Sequence, residues 1–339
     1  MSTISVIIPA YNVEKYIARC LDSLINQDCT VDYSIVVVDD GSTDHTPSII
    51  QEYATKYPSI IRYIYQKNGG QSSARNYGLE HSESEFVLFV DSDDYVEPGY
   101  IDTLFKLATN SNSDIAMCAM NRVSSDDGRG KRFESGFAKD FVTDDIDEVL
   151  RHSSFAPWNK IIKRSIMGEL RFPEGLTYED FALIPQIMNR ANRIAYTNKV
   201  LYHYFFNENS IINSASKRKK TNRDILKAQH ILEESELKCK PEILEILFLR
   251  RVLSSMAWSL LEYHEGNNEV EELIDEATLK YPNISRNPWI SSQPGIKRAF
   301  LKLILNGNIS WGGVLVSAYG LMRSVHKYMR KARNSSHGA

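Results

Sequence analysis

The chain has 339 residues, of which 42% are apolar and 24% are charged. This composition excludes disordered, collagen-like and disulfide-scaffolded proteins, and the length predicts one large domain with a smaller one, or two domains. Four widely spaced cysteines, with no CxxC pair and no secretory leader, predict a reduced, cytoplasmic protein without a structural zinc site.

The charge is distributed unevenly along the chain. The formal net charge is only −3, yet all 43 acidic residues lie at or before Glu276 and ten basic residues follow it. The segment after Glu276 therefore carries a net charge of +10, which predicts an anionic partner for the tail, either a membrane surface or a nucleic acid.

Apolar runs alternate with helical spacings in the first hundred residues. Strands are predicted at the short apolar runs 3–8, 34–38, 60–65 and 86–90. Segments with apolar residues three and four positions apart lie between them and predict helices, the first capped by Asn12 and the second starting at Pro47. The alternation predicts an α/β fold with a mostly parallel, doubly wound sheet.

Polar residues follow each predicted strand at its carboxyl end, at Tyr11-Asn12, Asp39-Asp40, Lys67-Asn68 and Asp91–Asp94. Open α/β sheets bind ligands at this edge, where helix N-termini also point. Acidic residues gathered there repel one another unless a cation is bound, and carboxylate oxygens suit Mn²⁺ or Mg²⁺. We therefore predict a metal site that could share its ion with a diphosphate.

Four segments resemble the successive motifs of glycosyltransferase family 2, in the family's order and spacing. They are Val6–Asn12, Val37–Asp44, Asn68–Asn76 and Phe89–Asp94. The resemblance is specific over residues 3–110 and weaker to about residue 212. It implies a GT-A fold, a nucleotide-sugar donor that is usually UDP-linked, and inversion at the anomeric carbon.

The resemblance implies a nucleoside pocket formed by the first two motifs. Pro9, Tyr11 and Asn12 would line it, with Tyr11 stacked on the base and Glu14 facing the ribose. Asp40 would accept the N–H of the uracil imide, for which a carboxylate is a good acceptor. Alternatively, the proline ends a strand, the asparagine caps a helix and Glu14 is a surface acid of its first turn.

The third and fourth motifs would hold the diphosphate, the donor sugar and the metal. Lys67, Gly70 and Arg75 are assigned to the diphosphate or sugar, although a solvated basic helix face is the alternative. Asp93 is the expected direct metal ligand, Asp91 and Ser92 would bind the nucleotide, and Asp91 could also reach the metal through water. His203 would complete the metal shell, unless it is a packed polar residue of the core.

Acceptor chemistry is assigned to the second half of the resemblance. Asp180 corresponds to the family's catalytic base, which takes the proton of the acceptor hydroxyl as that oxygen attacks the sugar. Trp158, Lys160 and Glu179 are the predicted acceptor-binding residues. Capping of the following helix by Glu179-Asp180 would produce the same residue types.

The predicted organisation is a catalytic domain over residues 1–215, with a nucleotide-binding half at 1–110 and an acceptor half at 111–215, followed by a helical region at 216–339. Lys217–Lys220 marks the boundary, and Pro282–Pro294 is predicted to be a connector. The apolar stretch Ile309–Met322 is too short for a membrane span and is followed by the basic cluster Arg323–Arg333. It predicts either an interfacial segment on anionic lipid or a buried core helix.

These features predict an inverting glycosyltransferase that moves a sugar from a UDP-sugar to an acceptor hydroxyl of a cell-surface polysaccharide or glycoconjugate. The acceptor would sit on a lipid or protein carrier, and the enzyme would lie on the cytoplasmic face of the plasma membrane. No nucleic-acid partner is predicted, and a homo-oligomer is left open. The alternatives are a non-catalytic nucleotide-sugar-binding subunit and a phosphatase, which the position of the Asp91 motif after the fourth strand disfavours.

Overall fold

The computed structural model describes residues 2–123, 130–133, 137–206, 218–263 and 266–335, without the side chains of 130–133, 218–222 and 323–335. The predicted domain boundary at residue 215 and Lys217, the first residue of the basic run that marks it, lie outside the described residues. Two compact units are present, one formed by Met1–Asp224 and His230–Cys239 and the other by Ile225–Gln229 and Lys240–Ala339.

The first unit begins with a parallel strand–helix alternation. Its strands are β1 (Ile4–Ala10), β2 (Tyr33–Asp39), β3 (Ile61–Tyr65) and β4 (Phe86–Phe89), and the helices between them are α1 (Ile17–Ile25), α2 (Thr46–Lys56) and α3 (Gln71–Glu80). The strands pair in parallel in the order β3-β2-β1-β4. This confirms the predicted α/β alternation and brings the carboxyl ends of all four strands to one edge.

The second half of this unit extends the same sheet with mixed strand directions. Its strands are β5 (Tyr95–Val96), β6 (Ile115–Val123), β7 (Gly130–Phe133), β8 (Phe141–Thr143), β9 (Lys160–Lys163) and β10 (Ile194–Phe205). The helices described here are α4 (Tyr100–Asn110), α5 (Ile146–His152), α6 (Arg164–Met167) and α7 (Glu179–Arg190). Because β9 lies antiparallel between β4 and β6, the two halves share one sheet.

Two local expectations about the start of the chain are corrected. Strand β1 continues through Pro9 to Ala10, because its pairing with β4 has already ended at Ile7 and Phe89 and the missing proline N–H interrupts no bond to that strand. Asn12 does not cap α1, which begins only at Ile17. The side chain of Asn12 instead bonds to the loop after β2.

The second unit is helical. Its elements, together with the preceding α8 (Arg218–Glu234), are α9 (Pro241–Leu247), a π-helical stretch (Phe248–Met256), α10 (Ala257–Glu262), α11 (Asn267–Lys280), a 3-10 turn (Ile284–Arg286), α12 (Pro288–Ser292), α13 (Gly295–Leu305) and α14 (Ile309–Ser335). The predicted connector is partly helical, because Trp289 and Ile290 are buried. Within the described residues, no helix combines the length and apolar character needed to cross a membrane.

Candidate active site

Hydrogen bonds join the loop after β1 to the loop after β2. Asn12 has a positive φ of 52°, and its side-chain oxygen accepts from the backbone N–H of Thr43 at 2.8 Å. A Glu14 carboxylate oxygen accepts from the backbone N–H of His45 at 3.0 Å. Asn12 and Glu14 therefore order the rim of the predicted nucleoside pocket, while the Tyr11 ring is 48% exposed and accessible to a base.

Asp40 is buried and organises the glycine loop that precedes α3. Its carboxylate accepts from the side chain of Gln66 at 2.6 Å and from the backbone N–H groups of Gly69 and Gly70, each at 2.8 Å. Gly70 has a φ of +88°, which a residue with a side chain rarely adopts. Asp40 thus holds the loop in shape, and its contact with uracil stays a prediction.

The acidic loop after β4 is anchored by β10 and α1. The Tyr202 hydroxyl donates to Asp94 at 2.6 Å and accepts from the backbone N–H of Asp91 at 3.2 Å. Arg19 donates to the backbone carbonyl of Asp93 at 2.8 Å. The sequence analysis predicted no role for Arg19 or Tyr202, because neither lies in a segment that was assigned to the donor site.

Burial and neighbouring carboxylates raise the pKa of two acids of this loop, Asp93 and Asp94. Burial, and then the charge of Asp91, raise the pKa of Asp93 to about 6. Burial and the charges of Asp93 and Asp91 raise the pKa of Asp94 well above its usual value. No side chain in the described part of the chain donates to the Asp93 carboxylate. Carboxylates that repel one another fit a hard divalent cation, which would offset the repulsion. Among the described residues, however, Asp91, Asp93 and Asp94 do not form a set of ligand atoms that all lie within 4.8 Å of one another.

His203 does not join this group. Its Nε2 lies 2.6 Å from a carboxylate oxygen of Glu97, and its ring stacks on Tyr95 with the centroids 4.6 Å apart. Among the described residues, it does not form with Asp91 and Asp93 a set of ligand atoms that all lie within 4.8 Å of one another. The arrangement fits the alternative of a packed polar residue, and metal binding by His203 stays a prediction.

Arg75 connects the loop after β4 to the start of α7. Its guanidinium donates to Asp91 at 2.7 Å and to Glu179 at 2.6 Å, and its side chain is only 2% exposed. Burial lowers the pKa of Arg75, but Asp91 and Glu179 outweigh that effect and raise it above the usual arginine value. The buried guanidinium bridges the two carboxylates, and its predicted contact with the diphosphate or the donor sugar stays a prediction.

Glu179 and Asp180 begin α7 at this bridge. Burial raises the pKa of Glu179 to about 7, with Asp180 adding to the rise and Arg75 opposing it. Asp180 accepts from the backbone N–H of Phe181 at 2.7 Å, and its side chain is partly exposed. A partly exposed carboxylate beside a fixed, buried ion pair is suited to take a proton from a bound hydroxyl.

Two of the predicted acceptor-binding residues belong to the packed interior. The Trp158 ring stacks on Tyr202 with the centroids 4.3 Å apart. The Lys160 side chain is 0% exposed, and its Nζ donates to the carbonyls of Ser154 and Ala156 at 2.9 and 2.8 Å and to the Asn159 amide oxygen at 2.5 Å. A fully buried ammonium group cannot reach an acceptor, so we assign Lys160 to the fold.

The remaining predicted residues lie where the sequence placed them, at the carboxyl ends of the strands. Pro9 is the second-to-last residue of β1, Lys67 is exposed in the loop after β3, and Ser92 is buried in the loop after β4. The exposed Lys67 ammonium is accessible to an anionic ligand. Gln66, which was not predicted, is also needed here because it supports Asp40.

The topology and the acidic loop define a nucleotide-binding α/β domain of the GT-A type. The family model described as glycosyl transferase family 2 matches residues 5–173, and a solved structure of Staphylococcus aureus TarS is similar in fold over 94% of the chain. A crystal structure of TarS residues 1–349 in complex with UDP-GlcNAc superposes with a TM-score of 0.71 at 26% identity, covering 94% of this chain and 92% of that one. The chain belongs to glycosyl transferase family 2.

Curated relatives agree with this assignment. The chain is 35% identical to glycosyltransferase GlyA of Streptococcus pneumoniae over 218 residues, which are 61% of this chain and 31% of the relative. It is 31% identical to the putative glycosyltransferase EpsH of Bacillus subtilis over 229 residues, which are 63% of this chain and 64% of the relative. The matched part of the chain therefore spans 31% of the first relative's length and 64% of the second's.

The Arg75 bridge predicts a strong coupling between its two ends. Arg75→Met should lower the free energy of unfolding by about 3–5 kcal/mol, because two acidic groups lose their buried cation. Adding Glu179→Gln to that variant should restore part of the loss, since one uncompensated carboxylate is then removed. Urea unfolding of the wild type, both single variants and the double variant measures this. Additive losses would contradict the coupling.

The contacts of Lys160 predict a structural effect. Lys160→Met should lower the free energy of unfolding by about 1–3 kcal/mol, because buried oxygens lose their donor. Lys163→Met, at the partly exposed end of the same strand, is the matched control and should change it by less than about 0.5 kcal/mol. Wild-type stability of Lys160→Met together with lost binding of an acceptor would instead support the predicted acceptor contact.

Proposed function

We propose that the chain is an inverting glycosyltransferase that moves a sugar from a UDP-sugar to an acceptor hydroxyl during synthesis of a cell-surface polysaccharide or glycoconjugate. The observation that carries the proposal is the continuous arrangement Asp91–Arg75–Glu179–Asp180, in which a metal-ligand candidate and a base candidate share one buried cation. Family membership and the likeness to TarS, crystallised with UDP-GlcNAc and with UDP, support the donor class.

The donor would lie across the carboxyl ends of β1, β2 and β4. Tyr11 provides an exposed ring for the base, and the exposed Lys67 provides positive charge for the diphosphate. Asp93, with Asp91 beside it, would hold Mn²⁺ or Mg²⁺. When bound, such an ion offsets the negative charge of the diphosphate. Asp94 and Arg19 keep the loop that carries these carboxylates in place.

The acceptor hydroxyl would approach Asp180 from the opposite side of the donor sugar. As the acceptor oxygen attacks the anomeric carbon, the bond from that carbon to the diphosphate breaks and the hydroxyl proton passes to the Asp180 carboxylate. Glu179 is less suited to act as the base, because its carboxylate is buried in an ion pair with Arg75. Its contact fixes the first turn of α7, and with it the position of Asp180.

The acceptor class is proposed from named relatives. Similar proteins include TarS, named poly(ribitol-phosphate) beta-N-acetylglucosaminyltransferase, and GgaB of Bacillus subtilis, named minor teichoic acid biosynthesis protein. We infer a surface glycan or glycopolymer acceptor, on a lipid or protein carrier at the cytoplasmic face of the plasma membrane. UDP-GlcNAc is accordingly the first donor to test, and transfer to any acceptor separates an enzyme from a nucleotide-sugar-binding subunit.

Donor binding should depend on a divalent cation. Asp93→Asn should reduce the gain in UDP affinity that Mn²⁺ produces by at least about tenfold, because a charged oxygen ligand is lost. Isothermal titration with UDP, with Mn²⁺ and with EDTA, measures the gain. Asp28→Asn, an exposed position with the same change in charge, is the control. Equal affinities of the wild type for UDP with and without Mn²⁺ would contradict the assignment of a metal site.

Loss of the base should separate binding from transfer. In Asp180→Asn, the affinity for UDP should stay within about twofold of wild type, while transfer from the UDP-sugar falls by about 10²–10⁴-fold because no carboxylate takes the proton. Titration with UDP and a product assay test the two parts. Near-normal transfer would return Asp180 to the role of a residue that caps α7.

A further inference from the structure

Helix α14 exposes an unusual number of large apolar side chains. Nine such side chains are exposed in the described part of the chain, and four of them lie within twelve residues of this one helix. They are Trp311 (66% exposed), Val314 (57%), Leu321 (71%) and Met322 (60%). Monomeric soluble proteins rarely group exposed apolar residues in this way, and such a patch marks an interaction site.

The exposed residues share one side of the helix. Trp311, Val314, Ala318 and Leu321 follow one another at intervals of three or four residues, and all four are exposed. The opposite side is packed: Val316 is fully buried. We call the exposed side, formed by Trp311, Val314, Ala318, Leu321 and Met322, the outward face of α14.

The packing of α14 also explains why it cannot turn this face inward. At Gly312, an added Cβ would lie 2.9 Å from Cγ2 of Ile304 on α13, so the helices approach as closely as a glycine allows. The side of α14 that carries Gly312 therefore packs inside the unit, and the outward face remains on the surface. Val314 and Leu321 also line a groove with Leu261.

The charge of the segment indicates what covers this face. From Lys280 to the end, the sequence has ten basic residues and no acidic one. Helix α14 itself continues to Ser335 through a stretch that contains Arg323, Lys327, Arg330, Lys331 and Arg333. A second copy of the chain placed face to face would bring two such cationic segments together, whereas an anionic lipid surface supplies the opposite charge.

We propose that the outward face of α14 docks on an anionic lipid bilayer, with its apolar side chains at the level of the headgroups and acyl boundary. An interfacial helix needs apolar residues on one side and basic residues nearby, and α14 has both. Trp311 suits this depth, because the indole combines an apolar ring with an N–H donor. The proposal goes beyond the transfer reaction and does not depend on it.

The test is co-sedimentation of the full chain with vesicles of phosphatidylglycerol and phosphatidylcholine, compared with vesicles of phosphatidylcholine alone. The wild type should bind the anionic vesicles and bind the neutral ones at least about tenfold more weakly. Raising the salt from 0.1 to 1 M should weaken binding to the anionic vesicles, because the Debye length falls from about 10 to about 3 Å.

Two matched variants separate insertion from charge. Leu321→Asp should reduce binding to the anionic vesicles by about tenfold or more, because it removes an inserted side chain. Leu279→Asp changes the charge equally at a leucine that is 83% exposed on α11, and should keep most of the binding. Circular dichroism and UDP titration check that both variants fold and that their first unit still binds nucleotide.

Two outcomes would overturn the proposal. The first is equal vesicle binding by Leu321→Asp and Leu279→Asp, which would show that the outward face does not insert. The second is a wild-type oligomer, seen by analytical ultracentrifugation, that ignores vesicles and dissociates in Leu321→Asp. The face would then be covered by a second copy of the chain.

Discussion

The buried ion pair network of Arg75 is the constraint on which the rest of the site depends. A guanidinium removed from water is unfavourable unless carboxylates compensate it, and here the compensating groups are Asp91 and Glu179, which follow it in the chain by 16 and 104 residues. Because the guanidinium is planar and donates in fixed directions, it fixes the loop after β4 and the start of α7 relative to each other. The carboxylates predicted to act on the donor and on the acceptor are therefore held together by a single side chain.

The cost of burying a polar group without a partner also separates residues that support the site from residues that are available to bind a ligand. Asp40 and Lys160 are buried, each makes three hydrogen bonds within the protein, and both shape loops. Tyr11 and Lys67 are exposed, and the Asp93 carboxylate has no donor among the described side chains. Buried polar groups must be satisfied by the protein itself, so the groups available to a ligand are those that the interior does not use.

The two compact units carry different kinds of surface. In the first, polar groups converge at the strand ends, where a soluble nucleotide-sugar could enter from water. In the second, α14 presents an apolar face within a segment that has no acidic residue. A glycosyltransferase whose acceptor is held at a membrane would benefit from this division, because lipid contact would concentrate the enzyme beside its acceptor without altering the donor site.

The sequence by itself determined the elements whose patterns are local: the parallel β1–β4 alternation, the polar residues at the strand ends, and the helical tail with its charge. These follow from side-chain periodicity and turn chemistry over fewer than twenty residues. Only the tertiary structure decided that Asn12 joins two loops, that Lys160 is buried, that His203 turns to Glu97, and that Arg75 bridges two carboxylates. Each of these depends on partners brought together by strand order, such as the insertion of β9 beside β4. Residue type and spacing do not specify which distant group a side chain will meet, because that choice is made by packing.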